Sequence, residues 1–409
     1  MTFSVSMPRS VEELVPVTDD SRVAHVDYPY YYLYPRTSGT DPRLVIFFGK
    51  DMYHFPPSWN REIFIRKTNE CLDYIRRTCA GYDLCYRPHP AETDEHKFLN
   101  LEGFRIMEDG TVGEMFLAKN LGNIKYVFST ISGVSASAHA LGLNSYLFFE
   151  PLHEAFDTET RAAFRDYFTG LPEAVFIRDF EQLLQENKMS LRPDPALEQG
   201  LRDALTKKSG TVWFISNDPK LAVVKIALAR LIRSLDPSRT INFVLIRHRR
   251  WAAIDLNDME PSFDRIFIFP RIFFSIRPVR LIKSFMAAFR VRRMPIKNDD
   301  IIVSSAFDFI ENCFLSYFPE TAKLKFVESI IYNYNYSPKT LGTFKNEDFS
   351  PTRGSRFYNG FFEPLLGLHR TVFMYYKEGN ILNVNRYVRP INEIYDRIFV
   401  LKTDNRTTS

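Results

Sequence analysis

LVIFFGKDMYHFPPSWNREIFIRKTNECLDYIRRTCAGYDLCYRPHP (44–90) is the stretch on which the fold turns. Its opening, LVIFFG (44–49), is a short unbroken apolar run, the pattern of a strand buried on both faces. REIFIRKTNECLDYIRRTCAG (61–81) then spaces its apolar residues three and four apart and stops at a glycine, which predicts a helix. YDLCYRPHP (82–90) is a second strand that ends in a proline-punctuated loop. Short apolar runs alternating with longer amphipathic ones predict an α/β protein with parallel sheets and helices on both faces.

The alternation continues outward. IKYVFSTISG (124–133) predicts a strand running into a Ser/Thr/Gly turn, SASAHALGL (135–143) a helix of small residues, NSYLFFE (144–150) a strand, and EAVFIRDFEQLLQEN (173–187) a last strand and helix. Composition turns polar, charged and proline-bearing across 188–209, which reads as an interdomain connection. TVWFIS (211–216) restarts the pattern, and NDPKLAVVKIALARLIRSL (217–235) predicts a capped helix with Pro219 in its first turn. INFVLIRH (241–248), DRIFIFP (264–270), DDIIVSS (299–305) and LKFVESIIYNY (324–334) supply further strands, with helices at 280–291 and 306–318. The expected division is an N-terminal extension (1–40), a first Rossmann-like domain (41–190), a linker (191–209), a second such domain (210–401) and a tail (402–409).

A chain of 409 residues is long enough for two or three domains, and its high aromatic content, 37 Phe and 21 Tyr, calls for large apolar faces rather than disorder. The net charge of +4 gives no whole-molecule field for nucleic acid, so no nucleic-acid partner is expected. Cys71, Cys79, Cys85 and Cys313 form no C-x-x-C pair, which disfavours a zinc site and a disulfide framework and points to a reducing compartment. Neither a signal-peptide order nor an apolar run of about 18 residues is present, so the expectation is a cytoplasmic protein, soluble or peripheral at the inner membrane.

Two short constellations carry chemistry. In YRPHPAE (86–92), His89 is flanked by Pro88 and Pro90 at the C-terminal end of a strand, where open α/β sheets bind ligands. Arg87, two before the histidine, adds charge. In FSTISGVSASAH (128–139), Ser129 and Thr130 end a strand, and Ser132, Gly133 and Ser135 lead into a helix. Hydroxyls and first-turn N–H groups at a helix N-terminus make an anion site, because those donors lack intrahelical partners and the dipole favours negative charge. Singly, a proline-flanked histidine reads equally well as a surface turn, and a Ser/Thr/Gly turn as a helix cap. Together in one alternating unit they predict two loops converging on one nucleotide phosphate.

This pairing of an HP motif with a following Ser-Ser/Thr motif resembles the nucleotide-binding half of bacterial sialyltransferases, polysialyltransferases and related Kdo transferases. The resemblance covers roughly residues 41–187. It implies a GT-B-like fold of two Rossmann-like domains with the active site between them, and transfer of a nonulosonic acid from its CMP form to a capsule or lipopolysaccharide glycan. It further implies that His89, with Pro90, contacts the CMP phosphate, that Ser129 and Thr130 bind its oxygens, and that no metal or other cofactor is needed. Residues 211–232 are similar in rhythm to the opening of the acceptor domain of such enzymes. The domain order is then swapped, as in a circular permutation.

The acceptor hydroxyl needs a base, because an alcohol is a poor nucleophile at neutral pH. The family's acidic motif has one literal match, Glu108-Asp109-Gly110, inside the HP domain, where a turn near the nucleotide is the better reading. Glu328, at the end of LKFVE, holds the strand position where the family places its acid; Asp218 and Asp308 compete with it and read equally as helix caps or surface acids. RHRR (247–250) and RPVRLIKSFMAAFRVRRMPIK (277–297) are basic. A helix in the latter either packs its apolar face on the core with a solvated cationic face, or lies on an anionic membrane near a lipid-linked acceptor. The aromatic segments 332–338 and 357–364 read as sugar platforms or as core. A UDP-sugar or CDP-alcohol transferase on the same fold, and a non-catalytic subunit of a capsule-assembly complex, are the competing assignments.

Overall fold

The computed structural model describes residues 21–34, 41–52, 55–89, 92, 94–107, 111–168, 171–216, 222–247, 259–272, 277–304, 309–328, 361–368, 370–371, 388–389 and 394–401. The chain divides into two compact units, one built around Tyr30–Arg192 and the other around Pro193–Thr403 together with Glu12–Pro29. Each is a parallel α/β sheet.

The first unit holds strands β2 (Leu44–Phe48), β3 (Asp83–Arg87), β4 (Arg105–Ile106), β5 (Ile124–Ser129) and β6 (Ser145–Leu147), in the spatial order β4-β3-β2-β5-β6. Every pairing in it is parallel. Helices α1 (Arg61–Thr78), α2 (Gly113–Lys119), α3 (Gly133–Ala140) and α4 (Thr158–Tyr167) intervene. All five residues of β2 are buried, as a strand covered on both faces requires. Asn60 starts α1 by accepting the Ile63 N–H at 3.0 Å, and Phe64, Leu72 and Ile75 of that helix enter the core. Aromatic rings fill the layer: Phe128 stacks between Tyr146 and Phe148, with centroids at 5.0 and 5.7 Å.

The second unit holds β1 (Val23–Val26), β7 (Val212–Ser216), β8 (Ile241–Arg247), β9 (Arg265–Pro270), β10 (Ile301–Ser304), β11 (Ala322–Glu328) and β14 (Arg397–Leu401), in the order β1-β14-β11-β10-β7-β8-β9. These pairings too are all parallel. Two-residue strands β12 (Arg370–Thr371) and β13 (Val388–Arg389) pair separately. Helices α5 (Pro195–Lys207), α6 (Ala222–Leu235), α7 (Pro278–Arg292) and α8 (Phe309–Tyr317) belong to this unit. Trp213, Ile215, Val244, Phe314 and Val400 lie in its core.

Three expectations are corrected. The stretch 1–40 is not all extension: Val23–Val26 adds a strand to the second sheet by pairing with β14, against Ile398–Leu401. The polar stretch 191–209 is not a bare linker. Asp194 caps α5 by accepting from Ala196 and Leu197 N–H at 2.8 and 3.0 Å, Leu197 and Leu201 are buried, and Arg239 closes the C-terminal end on the Leu205, Lys208 and Gly210 carbonyls. The predicted strand and helix at 173–187 reduce to the turn Glu173–Val175, a single bridge at Phe176, and extended chain. There, Gln182 and Asp179 side chains accept the Arg178 and Glu181 N–H groups, while Tyr74 and Tyr146 hydroxyls donate to the Gln182 and Gln185 carbonyls. Those bonds occupy the backbone groups that a helix would use.

Candidate functional site

Open parallel sheets bind ligands at the carboxyl edge where the chain reverses its direction of winding. In the first unit the chain leaves β2 toward β3 and β4, then crosses back to place β5 on the other flank of β2. The reversal therefore falls between β2 and β5. Phe48 is register partner of both Arg87 and Ser129, so the loops bearing His89 and Thr130 leave the same edge, about 10 Å apart across two strand spacings.

Between them lies the loop after β2. Gly49 donates its N–H to the Arg87 carbonyl at 2.8 Å, and a Cβ at this position would run into the Tyr86 hydroxyl and stand 2.8 Å from Glu92 Oε2. Only glycine lets the two loops approach this closely. Gly49, Lys50, Tyr86 and Thr130 line a narrow crevice with Met52 and Thr68, too tight to admit a water molecule. Lys50 was not singled out by sequence reasoning; its position directly after the first strand's glycine is the signal that could have found it.

The HP loop is locked from within. Glu92 has a buried side chain and accepts from the Tyr86 hydroxyl at 2.9 Å and from the His89 backbone N–H at 2.9 Å, with His96 Nδ1 3.7 Å away. The Glu92 N–H in turn donates to the His89 carbonyl at 2.8 Å. His89 is half-buried on this clamped turn. Arg87 goes inward instead: it is buried, its guanidinium lies over the Phe116 and Phe48 rings at 4.6 and 5.7 Å, and it donates to the Thr111 carbonyl. Its surroundings are those of a core cation rather than of a ligand-facing one.

The Ser/Thr turn divides its work. Ser129 and Ser135 are fully buried and their hydroxyls bond each other at 2.7 Å; the Ser135 carbonyl also accepts from the Ser145 hydroxyl at 2.8 Å. Ser132 caps α3 by accepting the Val134 N–H at 3.3 Å, and Gly133 is the first helical residue. Thr130, itself buried at 2% exposure, is the residue of this turn that borders the crevice. Pro90, Glu108 and Asp109 lie outside the described residues.

In the second unit the winding reverses between β7 and β10, which end at Ser216 and Ser304. The residues that follow, including Asp218 and Asp308, lie outside the described residues, as do 248–250, 332–338 and 357–360. Glu328 closes β11 opposite Leu401, and its side chain lies outside the described set. Sequence reasoning missed a buried polar group beside this edge. Ser304 Oγ and the Tyr395 hydroxyl are 2.7 Å apart, and Lys325, register partner of Ser304, is buried with its ammonium 5.4 Å from the Tyr395 ring. Burial pushes the Lys325 ammonium down to about 8, and the negative charge of Glu311 opposes that fall. A lysine among the apolar residues of AKLKFVE (322–328) is the signal it left in the sequence.

Among the described residues no three His, Cys, Asp or Glu side chains group closely enough to hold a metal ion, and no helix is long and apolar enough to cross a membrane. The four cysteines are buried thiols. No protein-family model matches the chain, and no curated protein matches it.

Proposed function

We propose that the chain is a glycosyltransferase that takes a nonulosonic acid, of the sialic acid or Kdo type, from its CMP form and places it on a bacterial surface glycan. The observation that carries this reading is the common edge: the clamped His89 turn and the Thr130 turn flank Gly49-Lys50 at the point where the first sheet reverses its winding.

In the transfer, the acceptor hydroxyl oxygen bonds to the anomeric carbon, the bond from that carbon to the CMP phosphate oxygen breaks, and the electron pair leaves with CMP. Charge therefore grows on the phosphate. His89, Thr130, Lys50 and the first turn of α3 are the groups proposed to meet it, with His89 donating a proton or hydrogen bond to the departing oxygen. Ser129, Ser135 and Glu92 hold those loops in place. The acceptor proton goes to a carboxylate, for which Glu328 and Asp218 are the candidates. The donor has a single phosphate and no pyrophosphate to chelate, so the reading calls for no metal.

Purified protein incubated with a panel of CMP-sugars and glycan acceptors should release CMP. Protection of the chain against heat by CMP, and less by CDP or UDP, is expected with it. Equal or stronger protection by UDP would favour another nucleotide-sugar donor, and protection without turnover of any donor would favour a non-catalytic role.

A further inference from the structure

The basic stretch 277–297 forms α7, but with the opposite orientation from an ordinary surface helix. Its buried residues are the small ones, Ser284, Ala287, Ala288 and Val291. Its large apolar residues face out: Val279 is 64% exposed, Ile282 59%, Phe285 56%, Met286 64% and Phe289 47%. At 100° per residue these five fall within an arc of about 120°, centred opposite the buried four. Single exposed apolar side chains are commonplace, whereas five on one contiguous helical face mark a surface that something covers.

Charge states what that something is. From Arg277 to Lys297 the sequence holds Arg277, Arg280, Lys283, Arg290, Arg292, Arg293 and Lys297, and no acid. Arg290 is committed to the sheet, with its guanidinium over Phe269 at 4.4 Å and a 3.0 Å bond to the Ile268 carbonyl. Lys283 and Arg292 are exposed on opposite flanks of the apolar arc, and Arg293 lies at its C-terminal end, 4.0 Å over the Phe289 ring. A second copy docked face to face would bring these cations against their own counterparts with no acid on the helix to answer them. A sheet of anionic headgroups over an acyl interior answers both the cations and the apolar arc.

We propose that α7 is an interfacial helix that seats the protein on an anionic lipid surface. Val279, Ile282, Phe285, Met286 and Phe289 enter the boundary between headgroups and acyl chains, and Lys283, Arg292 and Arg293 meet the phosphates. This inference rests on α7 alone and is independent of the proposed sugar transfer.

The test is cosedimentation of the full chain with phosphatidylcholine vesicles, with and without phosphatidylglycerol, at low and high salt. The protein should bind the phosphatidylglycerol vesicles and release from them as salt rises. Because the substituted side chains are exposed, the triple variant Ile282→Ser, Phe285→Ser, Met286→Ser should keep its circular dichroism spectrum and lose vesicle binding. The double variant Lys283→Glu, Arg293→Glu should weaken binding at least about tenfold, since each basic residue near an anionic surface contributes about a fivefold factor. Absence of binding, equal binding to neutral vesicles, or binding unchanged in both variants would overturn the proposal. So would a wild-type dimer that the triple variant converts to monomer, which would make this face a contact between copies.

Discussion

Glu92 accepts the backbone N–H of His89 at 2.9 Å from inside the protein, so the turn that presents the histidine is held by a buried carboxylate three residues further on. The same carboxylate takes the hydroxyl of Tyr86, the penultimate residue of β3, and thereby ties the loop to the sheet. Glu92→Ala removes the acceptor from both donors. It should cost about 1–3 kcal/mol of stability and lower CMP affinity. Urea denaturation and a CMP titration check it; unchanged affinity would show that the clamp does not position the site.

Gly49→Ala should be worse tolerated than its size implies. The new methyl meets the Tyr86 hydroxyl and the Glu92 carboxylate at sub-van-der-Waals distances, so the HP loop must move or the strand must shift. A loss of about 1–3 kcal/mol is expected from such overpacking, visible as a lower denaturation midpoint, together with weaker nucleotide protection.

His89→Ala should lower transfer by about 100-fold or more, the scale of losing a donor to developing charge, with the circular dichroism spectrum and denaturation midpoint preserved. Glu328→Gln should reduce the rate more than it reduces nucleotide affinity, as a base would. Normal turnover in the histidine variant would remove its assigned role, and parallel losses in the glutamate variant would argue against a base.

Ser129 and Thr130, neighbours in sequence, should separate in their effects. Ser129→Ala breaks the buried hydroxyl pair with Ser135, and a double-mutant cycle with Ser135→Ala should show a coupling of about 1 kcal/mol in stability. Thr130→Ala, which breaks no part of that hydroxyl pair, should show no such coupling with Ser135→Ala and should reduce CMP affinity. The reverse assignment would move the phosphate contact from Thr130 to Ser129.

Lys325 should leave a signature in the pH dependence of stability. Its folded pKa of about 8 lies below the ordinary 10.5, so the unfolded chain holds the proton more tightly between those values. Stability from this group is therefore least below about pH 8 and is regained as pH rises toward 10.5. Relative to Lys325→Met, the wild type should gain about 3 kcal/mol across that window, read from paired urea curves. Parallel pH profiles for the two proteins would show that Lys325 titrates as an exposed lysine does.

Much of the fold was readable along the chain. LVIFFG and IKYVFS predict strands that the structure has at Leu44–Phe48 and Ile124–Ser129, and the spacing in 61–81 predicts the helix Arg61–Thr78. Apolar run length, helical period and the punctuation of proline and glycine are local properties, and a strand buried on both faces shows itself without reference to its neighbours. The positions of His89 and Thr130 at strand ends were readable for the same reason.

Pairing and orientation were not. Val23–Val26 gains its place from β14, nearly the whole chain away, and α5 depends on Arg239 to satisfy its last carbonyls. At 177–187 a helical pattern yields to hydroxyls supplied by Tyr74 and Tyr146. Glu92 as clamp, Ser129 and Ser135 as each other's partners, and the outward apolar face of α7 are likewise outcomes of distant contacts. An amphipathic pattern states that a helix has two faces; which face meets the core is settled by packing, because burial free energy belongs to the assembled surfaces and not to the segment.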